Sequence, residues 1–225
     1  MHRKKLAELE EFNKKIYALV KEVAPSIILF TEANDFDAKT YGELEEQSLS
    51  LPAIPSQEEK KLVYLVDYTP DADTKIIASL LHISSFLPYQ ECLQKAKRLS
   101  SSQINEIFKK AFEDMEFYDA ALREFEYVDL VFDLVISASC FAQLKRHRMT
   151  TITAQKYNPE LGVSIPASID EIGAQDDFEE IIQRTDDTYS VLKKSMDVGA
   201  EYVLTNAHRR RILIKVNSRE FYHIS

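Results

Sequence analysis

The chain has 225 residues and a mass of 25.9 kDa, with 45% hydrophobic and 29% charged residues, which argues against disorder and suits one compact domain or one core with an appendage. Its four glycines, Gly42, Gly162, Gly173 and Gly199, are too widely spaced for a P-loop or a glycine-rich dinucleotide fingerprint, so any phosphate must be held by side chains and helix ends. The net charge of −9 argues against a general nucleic-acid binder; residues 141–225 carry twelve basic and twelve acidic residues, so the whole excess falls on 1–140.

Leu6, Leu9, Phe12, Ile16, Leu19, Val20 and Val23 recur at helical spacing, and Pro25 closes that helix. From about Thr31 to Glu59 the chain is acidic and carries Pro52 and Pro55, so residues 1–60 read as an N-terminal helix and an acidic linker, ahead of a domain over 61–225. Leu62 to Val66 suits a strand and Asp71 to Ser84 a helix. Ile104, Ile107, Phe108, Ala111, Phe112 and Met115 mark an amphipathic helix for which Ser102 is the expected N-cap. Phe125 to Ile136 reads as a long strand, Ser137 to Arg148 as a helix, Phe178 to Met196 as a helix, and Ile212, Ile214 and Val216 alternate as in a strand. Without a regular βαβ rhythm, the expected class is α+β, with a mixed, mainly antiparallel sheet flanked by helices and an N-terminal helical extension.

Cys92 and Cys140 are too far apart for a metal motif or a disulfide framework, and the histidines are dispersed, so no metal site is expected. The start, Met1-His2-Arg3-Lys4-Lys5, lacks the apolar stretch of a signal peptide, and no run approaches ~18 apolar residues, so a cytoplasmic setting without membrane spans is expected.

Two basic clusters carry the candidate chemistry. In Lys145-Arg146-His147-Arg148, two guanidinium forks flank an imidazole, and Thr150, Thr151 and Thr153 add hydroxyls; the run suits phosphate or carboxylate, and equally a solvated basic helix end. The second cluster is His208-Arg209-Arg210-Arg211, followed by a strand and by Asn217-Ser218-Arg219-Glu220. Asn217 and Glu220 have capping-box spacing, so a helix starting there offers free N–H groups to an anion with Arg219 beside them, or is simply capped with its arginines in solvent. His223 lies nearly two turns further on.

At these clusters the sequence resembles the flavin-dependent thymidylate synthases (the ThyX type). Arg146-His147-Arg148 matches the family's Arg-His-Arg hallmark, with Thr151 in place of its first Ser; Ala200, Val203, Leu204, Asn217, Arg219, Glu220 and His223 match its closing motif without gaps; Glu126, Phe132 and Gln143 match positions leading to the hallmark. The resemblance covers roughly residues 62–225. It implies a homotetramer, or pairing with a second copy, binding FAD and dUMP in shared clefts and converting dUMP to dTMP with methylenetetrahydrofolate and NADPH. By matching position, Arg146, His147, Arg148, Asn217, Arg219 and His223 hold FAD, and Gln143 and Arg146 lie at the dUMP edge.

The departures fall mostly on the nucleotide side. Lys156 stands at the second hallmark Ser, Asn158 at the hallmark Arg, Glu201 at the Arg before Val-Leu-Pro, Thr205 at that Pro, and Tyr127 at the His of Glu-His. A carboxylate at Glu201 faces an expected anion, and like charges at ~4 Å cost ~1–4 kcal/mol; Lys156 then serves as a replacement phosphate cation. The stretch from Phe117 to Tyr157 looks most like the second half of duplicated family members, in which one copy keeps the hallmark and the other drifts. A non-catalytic FAD- or nucleotide-binding assembly domain is the alternative expectation.

Overall fold

In a computed structural model, residues 6–28, 34–53, 61–196 and 199–225 are described. The basic start at 1–5 and parts of the expected linker, 29–33 and 54–60, lie outside them. In chain order the described elements are α1 (Ala7–Val23), α2 (Asp35–Ser50), β1 (Val63–Tyr68), α3 (Ala72–Ile83), α4 (Tyr89–Ala96), α5 (Ser101–Phe112), β2 (Asp129–Ser137), α6 (Ala138–Leu144), β3 (Thr151–Ala154), α7 (Ala167–Glu171), α8 (Gln175–Ser195), β4 (Arg209–Asn217) and α9 (Ser218–Ile224). Short 3₁₀ segments occupy Arg123–Tyr127, Pro159–Leu161 and Ala200–Val203.

The chain divides into two compact units, Met1–Glu59 with Gly173–Leu204, and Lys60–Ile172 with Thr205–Ser225. In the first, α1, α2 and α8 contain no buried residue. The helix α2 stands where the acidic stretch reads as a linker. Its start is capped by Asn34, whose Oδ1 accepts from the Asp37 N–H at 2.9 Å, and Lys39 pairs with Asp35 at 3.0 Å one turn away. Also in this unit, Tyr202 donates to the Glu8 carboxylate, and that hydrogen bond, followed by burial and then the carboxylate's charge, raises the pKa of the tyrosine hydroxyl above its ordinary value.

The second unit holds the sheet, in the order β1-β2-β4-β3. Every pairing in it is antiparallel, which places the chain in the expected α+β class. A two-residue period sends Ile212, Ile214 and Val216 of β4 inward, at 1%, 3% and 2% exposure, while Leu213 and Lys215 remain exposed. Beside the sheet, Ile77, Ala78, Cys92 and Ala96 form a buried cluster between α3 and α4, onto which Ile104, Ile107 and Phe108 of α5 pack.

Three local expectations are corrected. The N-cap of α5 is Ser100, not Ser102: its hydroxyl accepts from the Gln103 N–H, and the Gln103 side chain accepts from the Ser100 N–H at 2.9 Å, a complete capping box. Phe125 does not open a strand. It sits in the 3₁₀ segment because its ring packs 5.0 Å from Phe112 and 6.2 Å from Phe108, and the ladder starts only at Asp129, which exchanges hydrogen bonds with Thr69. Finally, α6 ends at Leu144, so Arg146-His147-Arg148 lies in the turn that reverses the chain into β3.

Candidate functional site

The turn after α6 and the start of α9 meet through side chains. His147 Nδ1 lies 3.2 Å from Glu220 Oε1, joining residues 73 positions apart, and both groups are largely shielded, at 29% and 14% exposure. A carboxylate only accepts, so Nδ1 carries the proton and Nε2 remains the ring's free polar atom. The His223 ring stands edge-on to His147 with centroids 5.7 Å apart. Behind this contact, Phe221 of α9 stacks on Phe132 of β2 at 5.6 Å. Glu220 therefore does not close a full capping box. Its backbone N–H donates to the Asn217 Oδ1 at 2.8 Å, but its carboxylate turns to His147. The Thr150 hydroxyl is spent inside the turn, donating to the His147 carbonyl at 2.7 Å.

Arg146 and Arg148 are exposed, and their side chains have no hydrogen-bond or ion-pair partner among the described residues. Arg219 is the opposite case. Its Nε donates to the Ala121 carbonyl at 2.7 Å and its Nη1 to Glu126 Oε1 at 2.9 Å. Arg123, and then Arg219, hold the Glu126 carboxyl below the usual carboxylate range against an opposing push from burial. The structure thus brings His147, Glu220 and His223 together, while the Arg219 guanidinium is committed to the segment before β2.

The second basic cluster is built into the sheet instead of facing solvent. His208 is 1% exposed, and its Nδ1 accepts from the Thr205 N–H at 3.0 Å. Arg209 donates to the Ser164 hydroxyl at 3.0 Å, and Arg211 makes paired bonds to Asp133 at 3.0 and 3.1 Å. Arg210 lies over the rings of Phe141 at 4.7 Å and Tyr157 at 4.4 Å and donates to the Gln155 carbonyl. Its Nε is buried without a hydrogen-bond partner among the described residues. That orphan costs ~1–3 kcal/mol. Two ring contacts at ~0.5–2 kcal/mol each offset it. Sequence reasoning missed this role, although the alternation through Ile212, Ile214 and Val216 extends inward to Arg210. Gln143 and Lys156, expected at the nucleotide edge, are both exposed, on α6 and just after β3. Glu201 belongs to the first unit. Among the described residues no three His, Cys, Asp or Glu side chains group as a metal site, and no helix is long and apolar enough to cross a membrane.

Comparison with known families matches the model described as Thymidylate synthase complementing protein (Thy1) to residues 64–225, most of the chain. The chain belongs to the Thy1 family. Residues of the Arg-His-Arg turn, of β4 and of α9 all fall within the matched span. Among curated proteins, a UPF0159 protein of Chlamydia muridarum (strain MoPn / Nigg) is 26% identical over 183 residues, covering 81% of this chain and 33% of the relative. A UPF0159 protein of Chlamydia pneumoniae is 23% identical over 158 residues, covering 70% and 30%. The chain therefore spans about a third of the length of the curated relatives it matches. Among solved structures, the UMP/dUMP methylase PolB from Streptomyces cacaoi, bound with 5-Br dUMP, superposes with a TM-score of 0.53 at 13% identity, over 72% of this chain and 75% of that one. That likeness shows a shared fold.

Proposed function

We propose that this Thy1-family chain is a flavin-dependent thymidylate synthase-like module that binds FAD and a uridine nucleotide. The observation that carries the reading is the contact of His147 with Glu220, which joins the Arg-His-Arg turn to the Asn-x-Arg-Glu helix start across 73 positions. The residues fit a cofactor pyrophosphate: Arg146 and Arg148 offer two planar forks with no competing partner among the described residues, and His147, held from behind by Glu220, offers its second ring nitrogen. His223 packs against that imidazole and limits its rotation. Asn217 and Arg219 support from behind, Asn217 as the cap of α9 and Arg219 as the tie to Ala121 and Glu126. When bound, FAD supplies the hydride that, with methylenetetrahydrofolate and NADPH, turns dUMP into dTMP. Gln143, Arg146 and Lys156 form the edge that takes the nucleotide, with Lys156 the phosphate cation.

Lys156, Asn158 and Glu201 favour a second version of the reading, in which this chain is a catalytically degenerate copy that supports a homotetramer or a second, intact copy. The chain's share of its relatives, about a third, supports a site completed elsewhere. Absorbance of the purified chain after addition of FAD and desalting tests the common part: a retained flavin band is expected, and its absence refutes flavin binding. Turnover of dUMP with the folate donor and NADPH separates the versions. Little dTMP is expected from this chain alone, and robust turnover refutes degeneracy.

A further inference from the structure

Arg210 occupies the row of β4 side chains that otherwise reads Ile212, Ile214 and Val216, yet its guanidinium engages three groups on two other segments. It lies over Phe141 of α6 and over Tyr157, and it donates to the Gln155 carbonyl. The Gln155 N–H is held as well, donating to the Arg211 carbonyl at 3.0 Å. Lys156 therefore sits between two pinned neighbours: Gln155, fixed through both backbone groups, and Tyr157, fixed through its ring. The same Phe141 ring lies 5.8 Å from Lys145 Nζ, the first residue of the basic turn, so one stack links both basic clusters.

We propose that Arg210 is a positioning residue that clamps the Gln155–Tyr157 segment against α6 and so presents Lys156 as an edge for the phosphate of a uridine nucleotide. Use of that edge rests on the nucleotide reading above; the clamp does not. A lysine whose flanking backbone is already fixed loses less freedom on gripping a phosphate than one on a loose loop, so the clamp acts through affinity and leaves global stability largely unchanged.

Two measurements on the full chain test this. Tryptic cleavage after Lys156, followed by mass spectrometry and normalised to cleavage after Lys109 on α5, reads the clamp without any ligand. Calorimetric titration with dUMP and with UMP reads the edge. In Arg210→Gln, cleavage after Lys156 is expected to accelerate about tenfold while cleavage after Lys109 stays the same, and nucleotide affinity is expected to fall about tenfold. Arg210→Lys, which keeps a cation over the rings, should recover part of both. Cleavage after Lys156 at the wild-type rate overturns the clamp, and faster cleavage with unchanged nucleotide affinity overturns the positioning role. Wild-type protein binding neither dUMP nor UMP overturns the nucleotide reading and the edge with it, while the cleavage result still decides the clamp. If Arg210→Gln is cleaved throughout, Tyr157→Ala removes one face of the clamp without altering β4 and carries the same expectations.

Discussion

Two arginines that read alike in the sequence should behave oppositely when removed. Arg219→Ala deletes a donor to the Ala121 carbonyl at 2.7 Å and one to the Glu126 carboxylate at 2.9 Å. Hydrogen bonds of a charged group contribute ~1.5–3 kcal/mol each when buried. The Arg219 side chain is 33% exposed, which lowers the sum to about 2 kcal/mol. Glu126 keeps Arg123, but at 3.4 Å and with a cation 79% exposed that pair replaces little. For a chain of this size the loss corresponds to a fall in Tm of about 4–8 °C. Arg146→Ala removes an exposed guanidinium without a partner among the described residues, so stability should stay within ~0.5 kcal/mol, while the lost phosphate contact should weaken FAD binding about 10- to 100-fold. Arg184→Ala is the control, since its pair with Glu180 is 3.9 Å long and more than 70% exposed on both sides; neither property should move. Thermal melts by circular dichroism and titrations by flavin fluorescence measure the two. An Arg219→Ala protein as stable as wild type that binds FAD as poorly as Arg146→Ala would refute the assignment, because it would put the Arg219 guanidinium on the cofactor.

Glu220→Ala releases His147 and should weaken FAD binding with little change at Arg146-dependent contacts; Glu220→Gln, which keeps an acceptor for Nδ1, should retain most of the affinity, and equal losses in both would show that the His147 contact is unimportant. The lowered Glu126 pKa makes its contribution complete above the ordinary value of 4.5 and progressively lost as the pH falls through that value toward the folded one. Urea midpoints should therefore drop on acidification less steeply in Arg219→Ala than in wild type, and identical slopes would refute the coupling. Ser100→Ala removes the capping box of α5 and should cost about 1 kcal/mol in urea unfolding, whereas Ser102→Ala should cost almost nothing; the reverse order would restore Ser102 as the cap.

Much of the second unit was legible from local pattern. The alternation in β4 follows from its pleat, α5 follows from 3.6-residue periodicity, and Asn217 caps α9 as its spacing with Glu220 suggested. Patterns misled where long-range packing outweighed local preference. Phe125 has the company of a strand residue, but its ring is claimed by Phe108 and Phe112. The acidic stretch that reads as a linker holds α2, because Asn34 and an Asp35–Lys39 pair support a helix that buries no residue.

Residue type and spacing by themselves determined which groups are able to grip an anion: guanidiniums at 146, 148, 210 and 219 and an imidazole at 147. Which of them are left available was decided only in three dimensions. A guanidinium is free for a ligand only if no carbonyl, carboxylate or ring of the same chain reaches it first, and those competitors, Ala121 and Glu126 for Arg219, Phe141, Gln155 and Tyr157 for Arg210, lie 53 to 98 positions away, where local pattern carries no information.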